Sequence, residues 1–180
     1  MPSRDSEAQV QYGSADLTWA RMWARVGVLA ALALVLSYIE MFIPLPVPVP
    51  GVKLGLANVA VLMALEVIDV KSAACVAVVK VLAAGFLFGN PIAMLYSAAG
   101  TVLAFAIMAV LTRIPGFSVG LAAIAGAILH NIGQLAVASV ILGTPAVWAT
   151  APVLVIAPCI TGALSGAAAR YALICLEGGR

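Results

Sequence analysis

From Val26 to Leu176 the chain is apolar almost without relief, and its interruptions are short, polar or rich in proline and glycine. Apolar residues make up 64% of the 180 residues and charged residues 9%, with a mean hydropathy of +1.17. A water-soluble fold of this length cannot hide that much apolar surface, so lipid must be the solvent for most of it. The cations then select a topology. With six crossings and a cytoplasmic N-terminus, Arg4, Arg21, Arg25, Lys71, Arg113, Arg170 and Arg180 all lie inside. Lys53 alone lies in an outside loop, and Lys80 falls within a span. Lysine and arginine near span ends are retained on the cytoplasmic side, so this asymmetry sets the orientation. The expected fold class is an all-α membrane bundle of six transmembrane helices with both termini inside.

The breaks give the boundaries. Residues 1–24 form a cytoplasmic tail, residues 25–176 the membrane domain and residues 177–180 a second short tail. Span 1 is predicted over Val26 to Ile43, anchored by Trp19 and Trp23 among Arg21 and Arg25. It stops at Pro44-Leu-Pro-Val-Pro-Val-Pro50, where alternate prolines favour an extended crossing. Span 2 covers Leu54 to Ile68, span 3 Ser72 to Phe88, span 4 Ile92 to Leu111, span 5 Val119 to Leu142 and span 6 Val147 to Leu176. Spans 2 and 3 are near the short limit for crossing about 30 Å of hydrocarbon. Pro152 and Pro158 are candidate kinks in span 6.

Polar residues gather by depth. At about 1.5 Å per residue, Glu40 lies about one turn down span 1 and Asn58 about 7 Å below Lys53. On the same scale Lys80 and Gln134 lie about 12 Å from the outer ends of spans 3 and 5, with Asn131 and His130 nearer the midplane. Tyr96 and Ser97 lie about 7 to 10 Å into span 4. His130, Asn131 and Gln134 are spaced i, i+1, i+4, and Asn90, Met94, Ser97 and Thr101 form a stripe. The inner halves hold mainly Ala, Gly, Val and Leu, with Glu66 the main exception. Polar groups converging from the outer halves of five helices imply a pocket open to the outside. Lys80 is the sharpest of them. A charge at that depth costs about 2.5 to 3.5 kcal/mol on insertion scales, so it should face a pocket, a partner such as Glu40 or a ligand, or snorkel outward. The others have a plain alternative role as interhelical hydrogen-bond partners.

Small residues mark two more helix faces. Ala20, Ala24, Gly27 and Ala31 recur along span 1, where they admit a close helix from its own bundle or from another membrane protein. Gly162 and Gly166 form a similar pair on span 6, suited to internal packing. Cys75, Cys159 and Cys175 lie in separate apolar segments and read as buried, unpaired thiols. With a single histidine, His130, a metal site is not expected.

Several chemistries lack their residues. No GxxxxGK[ST] phosphate loop is present. The only aspartates, Asp5, Asp16 and Asp69, are scattered, whereas magnesium–diphosphate chemistry needs clustered carboxylates. No serine or cysteine nucleophile has an evident base. A non-enzyme without cofactor or metal is expected.

Gly51-Val-Lys-Leu-Gly-Leu-Ala-Asn-Val-Ala60 resembles the signature of a bacterial membrane family called Gx transporter, often labelled heptaprenyl diphosphate synthase component I. Asn90-Pro-Ile-Ala-Met-Leu-Tyr-Ser-Ala-Ala-Gly100 and Gly126-Ala-Ile-Leu-His-Asn-Ile-Gly-Gln134 look like its other two blocks. That family in turn resembles the substrate-binding S-components of energy-coupling factor transporters. The resemblance implies a bacterial cytoplasmic-membrane protein that captures a micronutrient outside, working with a coupling membrane subunit and cytoplasmic ATPases. Docking of that subunit would fall on Ala24, Gly27 and Ala31, although these do not form a clean AxxxA pattern.

The expected function is therefore a membrane subunit binding a small vitamin-, flavin- or isoprenoid-like ligand, with Lys53, Asn58, Lys80, Tyr96, Ser97, His130, Asn131 and Gln134 lining the pocket. Lys53 and Lys80 favour an anionic or strongly polar ligand. The alternative is a non-catalytic membrane scaffold for a polyprenyl diphosphate synthase or for flavin- or quinone-based electron-transfer machinery. Its determinants would be cytoplasmic, at Asp69, Lys71, Arg113 and the N-terminal tail.

Overall fold

The computed structural model describes residues 4–43 and 53–178, with side chains described over residues 18–43 and 53–175. The proline-rich crossing expected over Pro44 to Pro50 lies outside the described residues. Six α-helices follow in order: α1 (Arg4–Glu40), α2 (Asn58–Val67), α3 (Val70–Phe88), α4 (Pro91–Leu111), α5 (Val119–Leu142) and α6 (Ala151–Gly178), the last preceded by a 3-10 turn over Pro145–Thr150. Five stretches are long and apolar enough to cross a bilayer: Thr18–Glu40, Val70–Phe88, Pro91–Leu111, Val119–Leu142 and Pro145–Cys175. The chain is an all-α, multi-pass membrane bundle.

The N-terminal stretch is helical from Arg4 and runs directly into the first span. One expectation needs correction. The second span is a half-helix. α2 has only 10 residues, about 15 Å of helix against about 30 Å of hydrocarbon. The reason is Gly55, whose φ of +86° bends the backbone into the left-handed region and keeps residues 53–57 out of the helix. A Cβ there would also fall 2.9 Å from Asn58 Nδ2 and 3.0 Å from His130 Cδ2.

Local chemistry fixes the other starts. Asn90 accepts a hydrogen bond from the Ala93 N–H at 2.8 Å, with Pro91 in the first turn where its missing N–H costs nothing. Asp69 caps α3 by accepting from the Ser72 N–H at 2.7 Å. That N–H holds the Asp69 carboxyl below the usual aspartate range. The cap is therefore complete above about pH 4 and is lost as pH falls through the lowered value. The hydrogen-exchange protection factor of the Ser72 amide should fall through that acid range, and Asp69→Ala should show the low protection already at neutral pH.

Helix contacts define a ring. α1 lies against α3, α3 against α4, α4 against α5 and α5 against α6, while α2 touches all five. Among the described residues α1 and α6 do not meet, so the ring is open between them. Glycine sets the closest approaches. A Cβ on Gly133 would lie 2.8 Å from the Ala99 carbonyl oxygen, and one on Gly166 would lie 2.6 Å from Gly120 Cα. Gly162 meets Ile124 in the same way, so the Gly162/Gly166 pair packs α6 on α5 as expected.

The interior is layered. One apolar cluster holds Val26, Leu29, Ala33, Val61, Leu62, Val76, Ala104, Met108 and Ala122. A second, towards the far ends of α4, α5 and α6, holds Tyr96, Leu135, Ala138, Val147 and Leu154. Between them runs a layer of buried polar side chains.

Candidate functional site

That layer contains Ser37, Glu40, Asn58, Lys80, Thr101, His130, Asn131 and Gln134, all buried. It is shut. Lys80 is 2% exposed, His130 2%, Asn131 1% and Gln134 0%, so among the described residues these side chains are enclosed. A cavity of about 10 Å³ reaches Asn58, Thr161 and Ser165, which is room for about one water molecule. The pocket expected to open to the outside is closed here.

The closing piece is the non-helical segment before α2. Backbone that leaves regular helix at membrane depth survives only where protein satisfies its polar groups. Gln134 does this twice, accepting from the Lys53 N–H at 2.8 Å and donating Nε2–H to the Lys53 carbonyl at 3.1 Å. Glu40 accepts from the Leu56 N–H, and Asn58 N–H returns to the Gly55 carbonyl at 2.9 Å. Residues 53–57 thus form a strap clamped from α1 and α5.

Asn131 serves backbone too. In α6 the Leu154 carbonyl should receive the N–H of residue 158, but Pro158 has none. Asn131 Nδ2 supplies the missing donor at 2.9 Å. Asn131→Leu should therefore cost about 1 to 3 kcal/mol, the penalty for a buried unpaired carbonyl. Adding Pro158→Ala, which restores the helical N–H, should recover most of it. Equilibrium unfolding of the two single variants and the pair measures this coupling.

Lys80 and Asn58 form the remaining contact, the ammonium donating to Asn58 Oδ1 at 2.6 Å. Among the described residues Lys80 is hydrogen-bonded to Asn58, while the buried Glu40 carboxylate acts on it through charge without an ion-pair contact. Among the described residues four buried polar atoms lack a partner: Asn58 Nδ2, Thr101 Oγ1, His130 Nδ1 and Asn131 Oδ1. Next to them lies the N-terminus of α2, whose cap residue Ala57 offers no side-chain hydrogen bond. A helix N-terminus carries about half a positive charge. An ammonium with donors to spare and a free amide N–H₂ lie by this helix end, and the Glu40 carboxylate, which accepts from the Leu56 N–H, shares the layer with them.

The sequence-predicted residues divide accordingly. Asn58, Lys80, His130, Asn131 and Gln134 share the layer. Lys53 and Ser97 are half-buried at its margin, Lys53 held through its backbone. Tyr96 belongs to the apolar cluster with Leu135 and Leu154. Thr101, named only as part of a stripe, is buried in the layer, and Ser37 was missed. Its signal was an i, i+3 spacing with Glu40 on the face that also carries Ala33. Ala24, Gly27 and Ala31 are all exposed, and a Cβ on Gly27 would meet nothing within 4 Å; Gly27 and Ala31 leave this face bare, while Ala24 borders an opening toward α2 and α6. Cys159 and Cys175 are exposed on the outer helix faces, which corrects the expectation that the thiols are buried; all three cysteines are free.

The model of the family described as heptaprenyl diphosphate synthase component I matches residues 29–173. The chain belongs to this family. The match spans α2 with its strap, the layer and most of α6. No curated protein matches the chain. No solved structure matches it either, so the further likeness to transporter S-components gains no support there. The three sequence blocks map onto the strap and α2, the first half of α4, and the part of α5 that faces both.

Proposed function

We propose that this chain is a non-catalytic integral-membrane subunit whose polar layer receives a small anionic ligand, for uptake energised by ATPase partners in trans. The observation that carries this reading is Lys80. Its ammonium is buried at the uncapped N-terminus of α2 beside unpaired Asn58 and His130 atoms, with one hydrogen bond where it has three donors. Intramembrane charges are costly and mark ligand paths, and Glu40 balances this one only through space. The strap over residues 53–57 is the element that must move to admit a ligand. With the N-terminus inside, as the cation distribution supports, the layer is reached from the outer face of a bacterial cytoplasmic membrane. Ala24, Gly27 and Ala31 then form the bare face available to a coupling subunit.

A second reading, a membrane component of a polyprenyl diphosphate synthase, draws on the family description, which speaks for it more directly than for transport. On that reading a soluble synthase docks on the cytoplasmic ends, where Asp69, Lys71 and Arg113 are exposed.

Affinity purification from the native membrane separates the two. The uptake reading expects a membrane subunit and ATPases to co-purify, with function lost in Lys80→Ala and kept in Arg113→Ala. Co-purification of a soluble synthase, with the opposite mutational pattern, would replace it.

A further inference from the structure

The opening between α1 and α6 is a groove of about 740 Å³. Its walls are Ala24, Arg25 and Leu29 of α1 and Tyr171 of α6, and its floor is Met63 and Val67 of α2. It exists because α2 is too short and too central to fill the ring while α1 and α6 fail to meet. Nearly all of its lining is apolar. The exceptions sit together: the Arg25 guanidinium on one wall and the Tyr171 ring with its hydroxyl on the other, both exposed. Arg21 lies one turn before Arg25 on the same helix face and is exposed as well. Glu66, on the same helix as the two floor residues, does not line the groove.

Charge and depth together name an occupant. Arg25 lies 15 residues before Glu40 in α1, about 22 Å along the axis, and Trp19 and Trp23 beside it are exposed as interface anchors. A cation and a phenol at the membrane–water boundary, leading into an apolar cleft, match a lipid with an anionic headgroup and an acyl chain. The guanidinium fork binds phosphate oxygens in pairs, and the tyrosine hydroxyl donates a further hydrogen bond. Basic pockets between helices on the cytoplasmic side suit anionic phospholipids. The geometry points to a bound anionic phospholipid, its headgroup on Arg25 and Tyr171 and one acyl chain on Leu29, Met63 and Val67. This lipid completes the ring between α1 and α6. The assignment is independent of what the polar layer binds.

Native mass spectrometry of the full chain, released from nanodiscs of equal phosphatidylglycerol and phosphatidylcholine, tests it. One phosphatidylglycerol should be retained in preference to phosphatidylcholine. Arg25→Gln should reduce that preference about tenfold, whereas Arg25→Lys should reduce it less. Ala24→Trp, which fills the groove without touching its charge, should remove the bound lipid altogether. Lys80→Met should leave retention unchanged, which separates this site from the polar layer. Equal retention of both lipids, or retention indifferent to Arg25→Gln and Ala24→Trp, would overturn the assignment. So would a protein partner occupying the groove in stoichiometric amount. Size-exclusion profiles of each variant confirm that the fold persists.

Discussion

Asn58→Leu is expected to lower stability by about 3 kcal/mol, the cost of leaving an intramembrane ammonium without its hydrogen-bond partner. Asn58 is the acceptor for Lys80 at 2.6 Å, and both side chains are buried. The penalty should arise from the stranded charge and not from the amide itself. Lys80→Met in the Asn58→Leu background should therefore recover most of the loss, because no ammonium remains stranded and Glu40, which loses a neighbouring charge, keeps its hydrogen bond from the Leu56 N–H. Unfolding in mixed micelles of wild type, both single variants and the pair yields the coupling energy. A coupling near zero would mean that the contact carries no weight in the fold.

The second large effect concerns helix spacing. Gly133→Ala places a methyl 2.8 Å from the Ala99 carbonyl oxygen and 2.9 Å from Gly100 Cα. Both obstacles are backbone, so the helices α4 and α5 must separate. The expected cost is about 2 to 3 kcal/mol, at the upper end for overpacking. Separation would also disturb His130, which sits across from Gly100. Gly27→Ala is the contrasting case, since nothing lies within 4 Å of the added methyl. It should stabilise slightly, by about 0.5 kcal/mol, through the unfolded chain. Thermal unfolding of the two variants side by side tests whether small residues on α1 and α5 serve different purposes. If Gly27→Leu also leaves stability intact while weakening association with a membrane partner, the exposed stripe is a docking face.

Much of this architecture was legible because its signals are local. Asn90-Pro91 announces a cap with its own acceptor and a proline at the first turn, and α4 starts there. Span 5 was placed from Val119 to Leu142 by hydrophobicity and the following Gly143, and α5 has those ends. The half-helix was not legible. Leu54 to Ile68 is as apolar as a short span, and hydropathy cannot register the left-handed turn that Gly55 adopts. The polar layer was legible as a common depth, because Lys80, Asn58, His130, Asn131 and Gln134 each lie about halfway down a predicted span. Their partners were not, since each partner lies on a different element, and for Gln134 and Asn131 it is backbone. Gln134 bonds Lys53 across the bundle, a pairing no spacing rule encodes. Asn131 was a partial exception. Pro158 in a membrane helix must leave the Leu154 carbonyl without its helical donor, so the need was readable, although the side chain that meets it was not.

The strap also changes what the polar residues mean. Sequence depth alone casts Gln134 and Asn131 as ligand contacts, whereas here their hydrogen bonds hold the segment and helix that close the layer. Lys80, Asn58 and His130 keep free hydrogen-bonding atoms. Asn131 is engaged through its Nδ2 while its Oδ1 stays unpaired, so it belongs to both sets.

The central claim is that Lys80 is retained for an anion and not for the fold. Native mass spectrometry of detergent-purified wild type and of the Asn58→Leu/Lys80→Met pair tests it most directly. The pair should remain folded while losing a defined small anionic mass that the wild type carries. Retention of that mass by the folded pair would contradict the claim, as would a wild-type protein that carries a stoichiometric soluble synthase and no small molecule.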